Sequence, residues 1–403
     1  MSRRAKVAND LHLQVYKNTN SRRVLGETHY MKTPPQTGVQ APQNSKVIFK
    51  VGGQGTNRIL ESLKWICQIS RASVDGGNTC ELMDFPACYI FEFIEFKQNG
   101  TVLERYNAET AKTLLEISSN EDEWDLVKIE LGAAPLAERR TKLQSSQKLI
   151  LNFSRFVDFM FSHGGAFPIN RLHDEEFTIE IKLVNNFSSI IKTSGGNLTP
   201  FTIEDNYMLC EYVKIADSIS GHLQNQKIIP LQHYEPTQTT RTLKSGASFH
   251  RITLSEFIDK KVVFFMFYII SKADDSDNRN KNNYIRLNSF ELLSSGKELH
   301  NTNFKIEDDV YRLALLNDYN PPNKKHLISQ NLYIVSYSHD LGTDIDYSKH
   351  SVLSGIPHGL REFKEQDVSL ELTFDNNLAA DHTLYLQIFE YSPMFIKGKE
   401  IYP

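Results

Sequence analysis

Cysteine is scarce in this chain. Four residues, Cys67, Cys80, Cys88 and Cys210, are scattered over 403 positions, and no two of them form a CxxC pair. Such sparse cysteines give no disulfide framework, so the fold is expected to rest on hydrophobic cores in a reducing compartment. Long apolar runs are missing as well: nothing approaches the roughly 18 consecutive apolar residues of a membrane-spanning helix. The opening MSRRAKVANDLHLQVY carries basic residues without the apolar stretch of about 7–15 residues that a secretory signal peptide places behind them. Secretion is therefore not expected, and the sequons at Asn152, Asn186 and Asn197 are read as chance matches. Nor does one sign of charge dominate. Lys+Arg number 45 against 49 Asp+Glu, a formal net charge of -4, which creates no field strong enough to gather nucleic acid or an anionic membrane.

Catalytic signatures are absent too. None of the 13 histidines forms the H-x-H pair with which a bicupin, a double-sandwich enzyme, holds its metal. HEXXH and GxSxG do not occur, which leaves neither a zinc protease site nor a nucleophile elbow. GGQG (52–55) follows a strand-like segment, but no GxGxxG or GK[ST] accompanies it, so it reads as a strand-ending turn. ADDSDNRNKNN (273–283) offers oxygen ligands yet lacks the central Gly and terminal Glu of a calcium loop, and reads as a solvated loop. His163 and His173 could be drawn as an acid–base pair; loop histidines at a subunit contact are the simpler reading. The chain is thus read as a non-enzyme with no catalytic residue, no metal ligand and no cofactor.

What is present is sheet chemistry. Phe (24) and Tyr (17) far outnumber Trp (2), a balance suited to many short buried strands, and the length suits two domains of about 150–200 residues. Residues 1–44 carry Arg3-Arg4, Arg22-Arg23 and TPPQTGVQAPQNS without periodicity, and read as an N-terminal arm. Strand-like runs follow: KVIFKV (46–51), LKWICQIS (63–70) with Trp65, YIFEFIEF (89–96) with the turn signal QNG (98–100), then LILNFSRFVDFMF, FTIEIKLV and YMLCEYVKI. A helical patch spans Ala108–Ile117, and Trp124 sits in what reads as an acidic loop. Residues 219–246 are polar, hold two prolines and read as a linker between a first domain at 45–218 and a second at 247–403.

The two halves repeat each other. FTIEIKLVNN (177–186) matches VSLELTFDNN (368–377) at an offset of 191, pairing Glu180 with Glu371. IEFKQNGTVL (94–103) matches FELLSSGKEL (290–299) at an offset of 196, with Glu95 against Glu291 and Gly100 against Gly296. LCEYVKI (209–215) matches IFEYSPM (388–394) at an offset of 179, sharing Glu-Tyr. The three matches keep one order. Each copy then holds roughly eight short strands with long loops and one short helix after the fourth, the pattern of a jelly roll. The expected fold class is all-β: two tandem eight-stranded jelly-roll β-sandwiches with short helices in the loops.

Over residues 46–403 the chain resembles the double jelly-roll major capsid proteins of icosahedral DNA viruses. KLILNFSRFVDFMFSHGGAFPINRLHDEEFTIEIKL (148–183) resembles the family's apolar run, Gly turn and Glu-bearing strand, with Gly165, Pro168, Leu172 and Glu176 in place. Arg155 and Asp158 interrupt that run, where large eukaryotic members are more uniformly apolar. NYMLCEYVKIADSIS (206–220) is similar to the strand and short helix that close the first roll. NLYIVSYSHD (331–340), SGIPHGLREF (354–363) and LYLQIFEYSPMFIKGKEIYP (384–403) resemble second-roll strands and the C-terminal end, with Tyr391, Ile396, Gly398 and Tyr402 in register. The resemblance implies a structural protein of the virion, made inside the host cell. It implies a homotrimer shaped as a pseudo-hexameric capsomer that meets neighbouring capsomers, penton and minor capsid proteins. Insertions at 101–147, 184–205, 271–283 and 300–330 are candidates for outward towers or intersubunit contacts, and no loop is assigned to a host receptor. Arg3, Arg4 and Lys6 on the arm are candidates for touching an inner membrane or the genome. A different class, a tandem β-sandwich that recognises glycans, would need an aromatic cleft, for which two Trp are little material.

Overall fold

The computed structural model describes residues 27–52, 55, 57–119, 121–161, 166–172, 176–231, 233–272, 283–294, 297–301, 331–336, 361–363 and 368–402. The first lobe has eight principal strands: β1 (Thr28–Thr33), β2 (Lys46–Lys50), β3 (Arg58–Ile69), β4 (Phe91–Gln98), β5 (Thr101–Asn107), β6 (Gln147–Asn152), β7 (Phe177–Leu183) and β8 (Ile203–Lys214). Alternation decides their faces. In β7, Phe177, Ile179, Ile181 and Leu183 enter the first core, while Glu180 turns outward and meets lysines. Each such apolar side chain contributes about 1.5–3 kcal/mol when buried. The strands form two four-stranded antiparallel sheets, in the orders β1-β8-β3-β6 and β2-β7-β4-β5. The QNG signal becomes the two-residue turn between β4 and β5, where Asn99 (φ 49°) and Gly100 (φ 82°) take the left-handed values that suit a twisted hairpin.

After β8 come helix α4 (Asp217–Asn225) and β9 (Ile228–Leu231), and then the second lobe. Helices α1 to α3 belong to the first lobe: α1 (Ala108–Ser118), α2 (Glu121–Glu130) and the single turn α3 (Asp158–Phe161). The second lobe contains β10 (Tyr234–Leu243), β11 (Phe249–Thr253), β12 (Lys261–Ser271), β13 (Ser289–Ser294), β14 (Lys297–Asn301), β15 (Tyr333–Ser336), β16 (Val368–Thr373) and β17 (His382–Tyr391). Its sheets run β10-β17-β12-β15 and β11-β16-β13-β14. Each strand takes the place of the strand nine positions earlier, so both lobes are the same eight-stranded roll.

Two of the three sequence matches fall on equivalent positions. On β7 and β16 the core faces correspond, with Phe177, Ile179 and Ile181 in the first core and Val368, Leu370 and Leu372 in the second. On the β4 and β13 hairpins, Ile94 and Phe96 correspond to Phe290 and Leu292. These strands are also neighbours, so Glu95 stands opposite Glu180, and Glu291 opposite Glu371. Carboxylates directly across a strand pair repel. The first lobe offsets this with Lys97, 2.8 Å from both Glu95 and Glu180, and with Lys46 against Glu180; the second places Arg251 3.6 Å from Glu371. The third match lies on the equivalent strands β8 and β17 but faces the wrong way. Tyr212 enters the first core, whereas Tyr391 packs on the opposite face of its sheet, so the shared Glu-Tyr is one residue out of register.

The structure changes several boundaries. β1 lies inside the stretch read as an arm and pairs with β8 along its whole length, because alternating Tyr30, Lys32 and their neighbours are edge-strand chemistry despite the polar sequence around them. That extra strand puts helix α1 after the fifth strand, not the fourth. The stretch 219–246, read as a linker, carries most of α4, all of β9 and the second lobe's first strand β10. The apolar run from 149 is a strand only to Asn152; a 3-10 turn (Phe153–Arg155) and α3 follow. Trp124 belongs to helix α2, not a loop.

The chain finally returns to the first lobe. β18 (Met394–Lys397) and β19 (Glu400–Tyr402) form a hairpin that pairs with β9, and Met394, Ile396 and Ile401 join Ile229 and Leu231 in the first core. Gln98 of β4 holds the hairpin from both sides, donating to the Lys399 carbonyl (2.7 Å) and accepting from the Ile401 amide (2.7 Å). Ile396→Ala is therefore expected to destabilise the first lobe by about 2–5 kcal/mol. Tryptophan fluorescence during denaturant unfolding checks this, since Trp65 and Trp124 are both buried in the first lobe's core.

Candidate assembly interface

The dominant surface feature of the second lobe is a sheet that is apolar on both faces. β12, KVVFFMFYIIS, has no alternation, the pattern of a strand covered from two sides. Val262, Phe265, Phe267 and Ile269 face the second core, while Val263, Phe264, Met266 and Tyr268 face out with Phe389 and Tyr284. Phe264 stacks on Phe389 at 4.2 Å, and Tyr268 stacks on Tyr284 (4.2 Å) and Tyr385 (5.0 Å). What covers this outer face is α1 of the first lobe. Asn107 caps the helix, its Oδ1 accepting from the Thr110 amide at 2.8 Å, with Glu109 favourably placed in the first turn. Ala111 and Leu115 then point into the first core, and Leu114 and Ile117 pack on the second lobe's sheet.

Polar groups on α1 key this contact. The Lys112 ammonium is fully buried, donates to the Tyr284 hydroxyl, lies 3.8 Å from the equally buried Glu116 carboxylate and sits over the rings of Phe85, Tyr268 and Tyr284. Tyr268 donates to Glu109 at 2.9 Å, Gln387 donates to the Thr113 hydroxyl at 3.2 Å, and the Thr110 hydroxyl donates to Gln238 at 3.3 Å. Burial pushes the Glu116 carboxyl upward and drives the Tyr268 and Tyr284 phenols well above their ordinary range. The second lobe thus supplies a partner to most of the polar surface of the helix.

The equivalent face of the first lobe, the outer side of β8-β3-β6, carries no counterpart of α1 among the described residues. It presents half-buried Lys64, Gln68, Ile150, Tyr207 and Leu209. Helix α2 flanks it, Glu130 reaching Lys64 at 3.6 Å, and exposes Leu126 (59%) and Ile129 (69%) to solvent. Trp124 of the same helix is buried against Phe85 at 5.6 Å, and Trp65 is also buried, so neither offers an aromatic binding cleft.

A second cluster lies where the chain crosses between lobes. Arg171, at the end of the first lobe's 3-10 turn Ile169–Leu172, donates to the Leu223 carbonyl (2.8 Å) and to the Gln224 carbonyl in the last turn of α4, and to the Gly398 carbonyl of the C-terminal hairpin (2.8 Å). His233, in the break between β9 and β10, is 1% exposed. Its Nε2 lies 2.5 Å from Glu104 of β5 and its Nδ1 3.0 Å from Asp158 of α3. Asp158 also accepts from the Tyr106 hydroxyl (3.2 Å), the Phe159 amide (2.8 Å) and the Tyr234 amide (2.6 Å).

Arg3, Arg4 and Lys6, the candidate contact residues of the arm, lie outside the described residues, as do His163, His173, Gly165 and most of 273–283, 300–330 and 354–363. The insertion at 101–147 is described, and its helix α1 turns inward to join the lobes instead of forming a tower. Sequence reasoning missed Lys112, Glu116 and His233. Lys112 and Glu116 look like an ordinary exposed i,i+4 pair on a helix, and the pairing of His233 with Glu104 and Asp158 spans separations no local pattern reveals. Asp158 was visible only as an interruption of an apolar run.

No protein-family model matches the chain, and no curated protein matches it. Solved structures do. The Faustovirus major capsid protein superposes with a TM-score of 0.64 at 10% identity, over 98% of each chain. VP54 of PBCV-1, as fitted into a reconstruction of the virophage Sputnik, gives 0.63 at 12% identity, over 96% of this chain and 98% of that one. The Sputnik virophage structure gives 0.62 at 10% identity, over 94% and 88%. At such identities the likeness establishes the fold: this chain is a double jelly roll of the kind seen in viral major capsid proteins.

Removing Lys112 alone strands a buried carboxylate. Lys112→Ala is expected to cost about 3–5 kcal/mol, while Lys112→Met with Glu116→Leu recovers most of that loss, because a buried ion pair is replaceable by packing apolar groups. Thermal unfolding of the three proteins, followed by calorimetry, measures both effects.

Proposed function

We propose that this chain is the major capsid protein of an icosahedral DNA virus, a structural component of the virion and not an enzyme, which forms pseudo-hexameric homotrimers. One observation carries the reading. The same roll occurs twice, and among the described residues the outer sheet that α1 covers in the second lobe has no such cover in the first. A second copy can cover it by presenting its own second lobe, and a head-to-tail contact of this kind closes into a ring when the rotation is right. Three chains give six similar lobes, a near-hexagonal block that tiles a flat facet. The solved structures of similar fold named above come from virus capsids, which supports the same reading.

On this reading the working units are the two rolls, joined through residues 215–233, with the residues before Thr28 as the arm. Arg3, Arg4 and Lys6 of that arm contact either an inner membrane or the genome, and the rims of the capsomer meet neighbouring capsomers, penton and minor capsid proteins. Exposed Leu126 and Ile129 lie on the helix beside the open sheet, so they fall within the contact between copies. The glycan-binding alternative gains nothing from two buried tryptophans.

Light scattering on the purified protein is expected to give three copies of the 46.3 kDa chain, about 139 kDa. Electron micrographs should show particles of hexagonal outline. Leu126→Asp with Ile129→Asp should shift the mass to a single chain without changing the circular dichroism spectrum. A monomeric wild-type protein under conditions that favour association would defeat the proposal.

A further inference from the structure

The two crossings between the lobes run side by side and meet at one residue. The chain enters the second lobe from β9 to β10 and leaves it from β17 to β18. The Ser392 amide of the outgoing crossing donates to the His233 carbonyl of the incoming one at 3.2 Å. His233 is therefore the point at which a two-stranded hinge is fastened, and its ring is held wholly by groups of the first lobe.

We infer that protonated His233 is a titratable hinge pin: charged, it locks both crossings onto the first lobe, and its loss of a proton in alkali frees them. Two carboxylates, one at each ring nitrogen, favour a cation here. From β5 the ring is faced by the Glu104 carboxylate and beside it the Tyr106 phenol, and from α3 by the Asp158 carboxylate. The remaining neighbours, the Phe159 ring at 6.0 Å and the Tyr234 and Ser392 amides, do not titrate in this range. With both ring nitrogens protonated, each carboxylate receives one N–H. A neutral imidazole has one N–H for two acceptors, and an unpaired carboxylate is left in a buried site.

The direction of the pH effect follows from linkage. Burial alone would lower the His233 pKa, but Asp158 and Glu104 outweigh it and raise it from 6.5 to about 10. A raised cationic pKa means that the stabilisation is complete below about pH 6.5, is lost progressively above it, and is gone once the pH passes about 10. Glu104, whose carboxyl is pushed up chiefly by its own burial, takes up a proton at a higher pH than an ordinary glutamate, and its ionic hold on the ring is lost in acid. Arg171, which fastens the same hairpin through Gly398, keeps its charge throughout and does not share this response.

Hydrogen–deuterium exchange on the intact protein tests this without any substitution. Peptides covering 228–236 and 392–398, corrected for base-catalysed intrinsic exchange, should lose protection by up to about tenfold per pH unit between pH 6.5 and 10. Peptides from β3 and β16 should keep theirs. His233→Gln should show low protection of the two crossings at neutral pH and little further change in alkali. Unchanged protection of both crossings up to pH 10.5 in the wild-type protein would overturn the inference. So would equal loss in β3 and β16, which would report general alkaline unfolding.

Discussion

The architecture depends on one constraint: β12 is apolar on both faces, and a sheet of that kind cannot be left in water on either side. Its inner face is covered by the second roll itself. Its outer face has to be covered by something else, and α1 meets that demand while keeping its own opposite side in the first core. The helix is in effect shared between two cores. Its position fixes how the lobes meet and makes them unequal, since among the described residues one of two otherwise equivalent sheets is sealed by a helix and the other is not. Lys112 and Glu116 lie at the centre of that seal. Buried charges of this type add little net stability, but they penalise any docking that fails to pair them, so they select one arrangement among several that would bury similar apolar area.

Much of the fold was legible because strand periodicity and repetition are local signals. FTIEIKL and VSLELT declare their faces by simple alternation, and the Glu95/Glu291 and Glu180/Glu371 correspondences survive as bonded neighbours in the two lobes. What escaped was written in non-local terms. β1 is short and polar, its alternation is weak beside the aperiodic stretch around it, and its pairing with β8 makes it a strand. The Glu-Tyr shared by β8 and β17 shows the opposite failure, because an identical dipeptide in two alternating strands looks aligned even when its tyrosines face opposite sides of their sheets. The candidate interface was less legible still. A lysine on a helix gives no sign that a tyrosine 172 residues away will bury it, and a histidine in a polar stretch gives no sign of two waiting carboxylates.

The junction between the lobes combines fasteners of different chemistry. α1 contributes area and shape, Arg171 a charge that persists through the range in which His233 titrates, and His233 a charge that does not. Arg171 reads only carbonyl oxygens, three of them from two separate stretches of chain, so it senses whether α4 and the C-terminal hairpin are both in place. His233 reads carboxylates and so senses the protonation of its surroundings. The two therefore report different events on the same hinge.

The β18–β19 hairpin carries a consequence for the order in which the molecule is made. Its three apolar side chains complete the core of a lobe whose own eight strands lie before residue 215, so translation delivers the last pieces of the first roll only after the whole second roll has been synthesised. A nascent chain holding every strand of its first roll still lacks the hairpin that closes over Ile229 and Leu231. Closure of that lobe then marks a chain whose second roll has already been made, and chains stopped short of that point remain distinguishable by an open seam.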